Sequence, residues 1–211
     1  MSRRYARIVI SAVLLAAALL AATGCGGRPK VAALPPGATV VALGDSLTYG
    51  TGATPDTSYP AFLAAATRWS VINAGVPGDT AEQGCARLEP LLIEHQPALV
   101  LVFLGGNDIL RLRAPRLLRD GLAACVRAAT AAGTPLVLLA VPTFGVTGIR
   151  DASIVEDFAG EARVPWLTPG LGQLLRDDGM RSDAIHLNAD GYRALAANVV
   201  TELRRMGYVA R

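Results

Sequence analysis

Short apolar runs alternate with longer segments of helical periodicity along most of this chain, and that alternation restricts its fold more than any other feature. Strands are predicted at five apolar runs, at residues 39–43, 70–74, 98–104, 135–141 and 164–167. Helices are predicted at residues 58–68, 80–95, 115–132, 152–162 and 189–206. Strands and helices that alternate in this way form right-handed βαβ units. We therefore predict an α/β fold in which helices cover both faces of a five-stranded parallel sheet.

The amino terminus has a different character. Three arginines within the first seven residues precede an apolar stretch that runs from Ile8 to Ala22. A basic start followed by a short apolar stretch is typical of a secretory signal peptide, and it is short for a membrane span. We predict a signal peptide at residues 1–24. Without it the net charge of +3 falls to zero, so the mature protein has no basic excess with which to bind nucleic acid.

The signal peptide is followed by a cysteine. The sequence Ala-Thr-Gly-Cys that ends at Cys25 resembles a bacterial lipobox. This resemblance implies that Cys25 is the lipidated first residue of the mature protein and anchors it to a membrane of the cell envelope. Ordinary signal cleavage, which would leave a periplasmic or secreted protein, is the alternative. Glycine and proline recur at residues 25–38, which we interpret as a tether, and residues 39–211 then form the folded domain.

Two further cysteines, Cys85 and Cys125, fall in predicted helices. In an exported protein they could form a disulfide, or they could be two buried thiols, and the sequence leaves both possibilities open. Neither cysteine stands beside a histidine at the spacing of metal ligands. We therefore expect no metal and no cofactor.

Polar residues and glycines follow the predicted strands. Gly-Asp-Ser follows the first strand at residues 44–46, a glycine-rich turn follows the second at residues 75–79, and Gly-Gly-Asn-Asp follows the third at residues 105–108. A fourth polar segment, residues 183–186, precedes the last helix. Ligands of open α/β sheets bind at the carboxyl ends of the strands, so these segments are candidates for one common site.

A serine hydroxyl needs a base that removes its proton and a third group that orients the base. Ser46 is the candidate nucleophile and His186 the candidate base, because the other histidine, His95, ends a helix and is interpreted as structural. Asp183, three residues before His186, is the candidate orienting acid. The sequence also offers two rival carboxylates for that role, Asp177 and Asp178.

Acyl transfer also requires donors for the oxyanion of the tetrahedral intermediate. The backbone amides of Ser46 and Gly78 and the side-chain amide of Asn107 are the candidates, because each follows a different predicted strand.

These residues carry a resemblance to a known family. Ser46, Gly78, Asn107 and His186 match the four lettered positions of the SGNH hydrolases, also called GDSL esterases. The chain is similar to the bacterial acyl thioesterase, lysophospholipase and arylesterase branch from about residue 39 to residue 203, notably in "INAGVPGDTAEQGCARLEPLLIEHQPALVLVFLGGND". The resemblance implies a flavodoxin-like three-layer α/β/α sandwich. It also implies metal-free catalysis by Ser46, His186 and Asp183, with an oxyanion hole at Ser46, Gly78 and Asn107.

The expected protein is a monomeric, exported serine esterase that hydrolyses ester or thioester bonds of lipid or small acyl substrates. Two alternatives are an O-acetyl esterase of polysaccharides and an inactive lipoprotein that binds a ligand. The segment between Val141 and Asp183 is shorter than in the thioesterase-like relatives, which leaves the preferred acyl length open.

Overall fold

The computed structural model describes residues 31–145, 148–150 and 154–210. The predicted signal peptide, Cys25, the first part of the predicted tether and residues 152–153 of a predicted helix lie outside this range. The elements below belong to one compact unit that begins at Ala33.

Five parallel strands form the central sheet. Their order across the sheet is β2-β1-β3-β4-β7, and a separate antiparallel hairpin is formed by β5 and β6. The strands span β1 Thr39–Gly44, β2 Ser70–Gly75, β3 Leu99–Phe103, β4 Leu136–Leu139, β5 Thr143–Gly145, β6 Gly148–Arg150 and β7 Trp166–Leu167.

Helices connect the strands. They span α1 Ser46–Tyr49, α2 Tyr59–Thr67, α3 Ala81–Ala86, α4 Leu88–His95, α5 Gly106–Leu110, α6 Pro115–Ala131, α7 Ile154–Ala162, α8 Leu171–Arg176 and α9 Ala189–Met206, with short 3₁₀ turns at Pro55–Thr57 and Asp178–Met180. The predicted five-stranded parallel sheet flanked by helices is thereby confirmed.

The central strands are buried on both faces. Every residue of β3 and β4 is buried, and so are the last five residues of β1. This is the reason that their sequences are continuous apolar runs without polar alternation. The edge strand β2 exposes Ser70 and Asn73 instead.

Several predicted boundaries differ from the structure, and two of the differences involve proline. The helix predicted at residues 80–95 is two helices that meet at Arg87, because Pro90 has no N–H to donate to the carbonyl of Ala86. The strand predicted at residues 164–167 is reduced to Trp166–Leu167, since Pro165 cannot donate to the sheet. The hairpin and the short helices α1, α5 and α8 were not predicted.

Cys85 and Cys125 form a disulfide, with their Cα atoms 4.9 Å apart. It joins α3 to α6, and this settles the alternative that the sequence left open.

The end of the predicted tether also packs on the domain. Leu34 donates its N–H to the carbonyl of Tyr208 at 2.8 Å, and Gly37 donates to Arg68 at 2.7 Å. Within the described part of the chain, no helix is long and apolar enough to cross a membrane.

Candidate active site

The site lies where the order of the strands reverses. Strand β1 has β2 on one side and β3 on the other, and Gly44 is in register with both Gly75 and Phe103. The chain therefore leaves three adjacent strands at the same edge of the sheet. This is the topological switch point at which open α/β sheets bind their ligands.

Ser46 is the first residue of α1 and follows β1 after one intervening residue. The turn needs glycine at position 44, because a Cβ there would lie 1.9 Å from Thr48 Oγ1 and 2.8 Å from the carbonyl oxygen of Phe103. Asp45 caps the short helix, and its Oδ1 accepts a hydrogen bond from the N–H of Leu47 at 3.0 Å. The turn thus holds the Ser46 hydroxyl at the carboxyl edge of the sheet.

His186 and Asp183 meet Ser46 from the loop before α9. His186 Nε2 lies 2.9 Å from Ser46 Oγ, and His186 Nδ1 lies 2.7 Å from Asp183 Oδ2. The other oxygen of Asp183 accepts hydrogen bonds from the backbone N–H groups of Ile185 and His186, both at 2.8 Å. The carboxylate is therefore fixed in place, and it fixes the imidazole ring in turn.

The charge on Asp183 is stabilised in this position. Partial burial raises the pKa of its carboxyl, but the hydrogen bonds from His186 and Ile185 outweigh that effect and hold the pKa below its usual value. The two rival carboxylates have other partners. Asp177 accepts a hydrogen bond from Gly179, and Asp178 pairs with Arg181.

The backbone N–H groups of Ser46 and Gly78 are not used in hydrogen bonds within the described part of the chain. Gly78 has φ +87°, a conformation that glycine adopts without steric cost. These two donors are the ones that the sequence predicted for an oxyanion hole.

The side chain of Asn107 lies at the same edge but already has two partners. Its Nδ2 donates to Asp45 Oδ2 at 3.2 Å and to the carbonyl oxygen of Asp79 at 3.0 Å. An amide NH₂ group has two hydrogens, so both are in use. Asn107 can donate to an oxyanion only after it shares or exchanges one of these bonds.

The loop that carries Gly78 is held by Arg87. The Arg87 guanidinium donates to the Asp79 carboxylate at 2.7 Å and to the carbonyl oxygens of Ala74 at 3.0 Å and Gly44 at 3.3 Å. A single side chain thus joins the ends of β1 and β2 to the loop between β2 and α3. Sequence reasoning missed Arg87, because a residue in a helical pattern gives no sign that it points into a site.

Asp45 was also missed as a site residue. Its side chain is only 2% exposed. Burial raises the pKa of Asp45 to about 6, although the hydrogen bond from Leu47 and the nearby His186 act in the opposite direction. The sequence signal that could have identified Asp45 as a site residue was its position next to the candidate serine.

A depression opens above these residues. Ser46, Asn107 and His186 line it together with apolar side chains of Leu47, Leu110, Val141, Pro142, Leu171 and Ile185. Large apolar side chains are also exposed nearby, at Tyr49 and Val76 and in the segment that follows α5, where Leu112 is 91% exposed.

His95 lies elsewhere, at the end of α4 beside Glu94. The described residues include no group of three or more His, Cys, Asp or Glu side chains arranged to hold a metal ion.

Comparison with known proteins adds to this geometry. Residues 42–194 match the GDSL-like Lipase/Acylhydrolase family. The chain is 34% identical over 175 residues to thioesterase 1/protease 1/lysophospholipase L1 of Escherichia coli strain K12, which covers 79% of this chain and 83% of that protein. It is 33% identical over 178 residues to esterase TesA of Pseudomonas aeruginosa, with coverage of 79% and 88%.

The fold has solved counterparts as well. The crystal structure of TesA superposes with a TM-score of 0.69 and 29% identity, over 80% of this chain and 99% of that one.

Proposed function

Because this chain belongs to the GDSL-like lipase/acylhydrolase family and is therefore an ester-bond hydrolase, we propose that Ser46, His186 and Asp183 perform its chemistry. The observation that carries this proposal is the pair of contacts at His186, which lies 2.9 Å from Ser46 Oγ and 2.7 Å from Asp183 Oδ2. This is the nucleophile–base–acid arrangement that activates a serine hydroxyl.

The first step forms the acyl-enzyme. Ser46 Oγ attacks the carbonyl carbon of the ester while His186 Nε2 takes its proton. The carbonyl electrons move to oxygen, and the imidazolium that results is stabilised by the Asp183 carboxylate. The tetrahedral intermediate then collapses, the bond to the leaving alcohol or thiol breaks, and His186 returns the proton to that group.

The second step releases the acid. Water enters, His186 takes one of its protons, and the resulting hydroxide adds to the acyl carbon. Collapse of this second intermediate breaks the bond to Ser46 Oγ, which recovers its proton from His186. In both steps the N–H groups of Ser46 and Gly78 have no other hydrogen-bond partner among the described residues, so they are available to the oxyanion.

The substrate class that we propose is carboxylic esters and thioesters of lipid or small acyl compounds. Apolar side chains line the depression, among them Leu110, Val141 and Leu171, and these suit an acyl chain. The names of the relatives, a thioesterase/lysophospholipase and an esterase, support the same class.

We further propose that the protein is exported and anchored by a lipid at Cys25. The arginines and the apolar stretch before residue 23, followed by cysteine, support this. Mass spectrometry of the amino terminus tests it: the expected result is acylated Cys25 as the first residue. An unmodified Met1, or cleavage at another residue, would overturn it.

The function is tested with p-nitrophenyl esters from acetate to decanoate, using the wild type and Ser46→Ala. We expect Ser46→Ala to keep its fold, as judged by circular dichroism, and to lose hydrolysis of every ester. Equal rates above the uncatalysed background would refute the role of Ser46, and rates of both proteins at that background would favour a ligand-binding protein. Hydrolysis restricted to the acetate would instead favour an acetyl esterase.

A further inference from the structure

We propose that Asp45 is a positioning residue. Its carboxylate holds one N–H of the Asn107 amide, so that the other N–H, which now donates to the Asp79 carbonyl, becomes the hydrogen-bond donor to the oxyanion. This inference rests on the proposed function, because it assigns a further residue to the same reaction. It starts from the fact that Asp45 is buried and uses both of its oxygens.

Each oxygen of Asp45 serves a different part of the site. Oδ1 accepts from the N–H of Leu47 and so holds the helix that carries Ser46. Oδ2 accepts from Asn107 Nδ2, which lies 62 residues away in sequence. One carboxylate therefore connects the nucleophile's helix to the side chain that is expected to stabilise the oxyanion.

The two bonds of Asn107 are unequal, and this decides which one is exchanged. The bond to Asp45 ends on Oδ2 of an almost completely buried carboxyl group, and that oxygen would be left without a donor if the bond broke. The bond to Asp79 ends on a neutral carbonyl in a partly exposed residue. The second bond is the less costly one to exchange when negative charge develops on the substrate.

A purely structural explanation of Asp45 is that it only caps α1. An experiment can distinguish capping from the positioning of Asn107, because asparagine caps a helix as well as aspartate does. Asparagine has a single oxygen, however, so Asp45→Asn can serve Leu47 or Asn107 but not both. If its oxygen stays on Leu47, its NH₂ group faces the NH₂ group of Asn107.

The experiment compares full-length wild type, Asp45→Asn, Asn107→Ala and the double variant on p-nitrophenyl butyrate. We expect Asp45→Asn to melt at or above the wild-type temperature and to lose about 100-fold in kcat, as for removal of one oxyanion donor, with KM changed less than about threefold. We also expect the double variant to be no slower than Asn107→Ala alone, because the two residues act as one unit.

Asp177→Asn is the matched control, since Asp177 caps the 3₁₀ turn at Asp178–Met180 in the same way and takes no part in the site. It should keep wild-type kinetics. A kcat of Asp45→Asn within threefold of wild type would overturn the proposal in favour of a cap. A large loss that adds in full to that of Asn107→Ala would overturn it too, because Asp45 would then act independently of Asn107. Neither result would affect the proposed function, which depends on Ser46→Ala.

Discussion

The guanidinium of Arg87 lies 2.7 Å from the carboxylate of Asp79, at the point where a helix expected to be continuous is divided into two. The break lets the Arg87 side chain turn toward the carboxyl edge of the sheet. There it fixes the loop between β2 and α3, whose backbone supplies the amide of Gly78 and the carbonyl that Asn107 contacts.

Replacement of Arg87 by lysine should therefore impair catalysis. Lysine keeps the charge but cannot donate to Asp79 and to two backbone carbonyls in a fixed plane. We expect kcat to fall by about 10-fold and the free energy of unfolding by about 1–3 kcal/mol, as for loss of hydrogen bonds by partly buried groups. Arg116→Lys is the control, because Arg116 is exposed and pairs only loosely with Asp120. Equal behaviour of the two variants would contradict the role assigned to Arg87.

Replacement by asparagine tests which of the three carboxylates orients His186. Asp183→Asn should lower kcat by about 10³- to 10⁴-fold with little change in KM, because the imidazole loses the group that selects its tautomer. Asp177→Asn and Asp178→Asn should retain wild-type rates, since their partners are Gly179 and Arg181. Steady-state kinetics on p-nitrophenyl butyrate checks all three. A loss confined to either of the last two variants would reassign the acid.

Asp45 should make stability depend on pH in a definite direction. Its pKa is raised from 3.8 to about 6 in the folded protein, so the folded state binds the proton more tightly than the unfolded state. The protonated Asp45 carboxyl therefore adds about 3 kcal/mol to the free energy of unfolding below pH 4, and this contribution is lost as the pH rises through 6. Asp45→Asn carries no charge, and should exceed the wild type by about 1–2 kcal/mol at pH 8 after the loss of one hydrogen bond.

Urea denaturation of both proteins at pH 8 and pH 4 measures this difference. The advantage of Asp45→Asn should shrink or reverse at pH 4, where the wild-type carboxyl is protonated. An advantage that is the same at both pH values would show that burial of the Asp45 charge is not its cause.

The disulfide between Cys85 and Cys125 should contribute to stability without affecting the chemistry. It closes a loop across a sequence separation of 40 residues, for which the chain-entropy estimate is about 4 kcal/mol. We expect Cys125→Ala to melt at a clearly lower temperature and to keep wild-type kcat well below that temperature. Thiol titration of the denatured wild type should find two additional thiols after reduction. Their presence before reduction would disprove the bond.

Leu112 should contribute to the rate of hydrolysis of lipid aggregates and not to that of soluble esters. It is 91% exposed and has φ +52°, so it adds nothing to the core while its backbone is strained. Asparagine tolerates this conformation. Leu112→Asn should therefore fold at least as well as the wild type and keep its rate on p-nitrophenyl acetate, but hydrolyse micellar lysophospholipid several-fold more slowly.

Ile93→Gln provides the comparison, because Ile93 is 71% exposed on α4, away from the site. It should hydrolyse both substrates at wild-type rates. An equal reduction on micelles in both variants would mean that general surface hydrophobicity, and not the position of Leu112, is responsible.

The parts of the fold that were predictable from sequence are those that depend on local pattern. Strands β1 and β3 are apolar because both of their faces are buried, and that leaves a signal in the sequence itself. The division at Arg87 and the shortening of β7 depend on Pro90 and Pro165, each of which removes one backbone hydrogen-bond donor. Helix α8 is only six residues long and has no comparable signal.

The candidate site was predictable to the extent that chain topology brings strand ends together. Ser46, Gly78 and Asn107 each follow a predicted strand, so a parallel sheet is expected to place them at one edge. The contact of His186 with Ser46 did not follow from the sheet, because His186 lies in the loop before the last helix. The orientation of Asn107 did not follow, because it is set by contacts with Asp45 and Asp79, 62 and 28 residues away. The buried charge of Asp45 depends on the same long-range packing.

Part of the lining of the depression has a different origin from the reacting groups. Val141, Pro142 and Leu171 come from the stretch of chain that runs from the end of β4 to the first residue of α8, and this stretch contributes none of the groups proposed to form or break bonds. That stretch can therefore change in length or composition during evolution while the reacting atoms keep their positions. Libraries that vary it alone offer a direct route to variants with new acyl selectivity and an undamaged reaction centre.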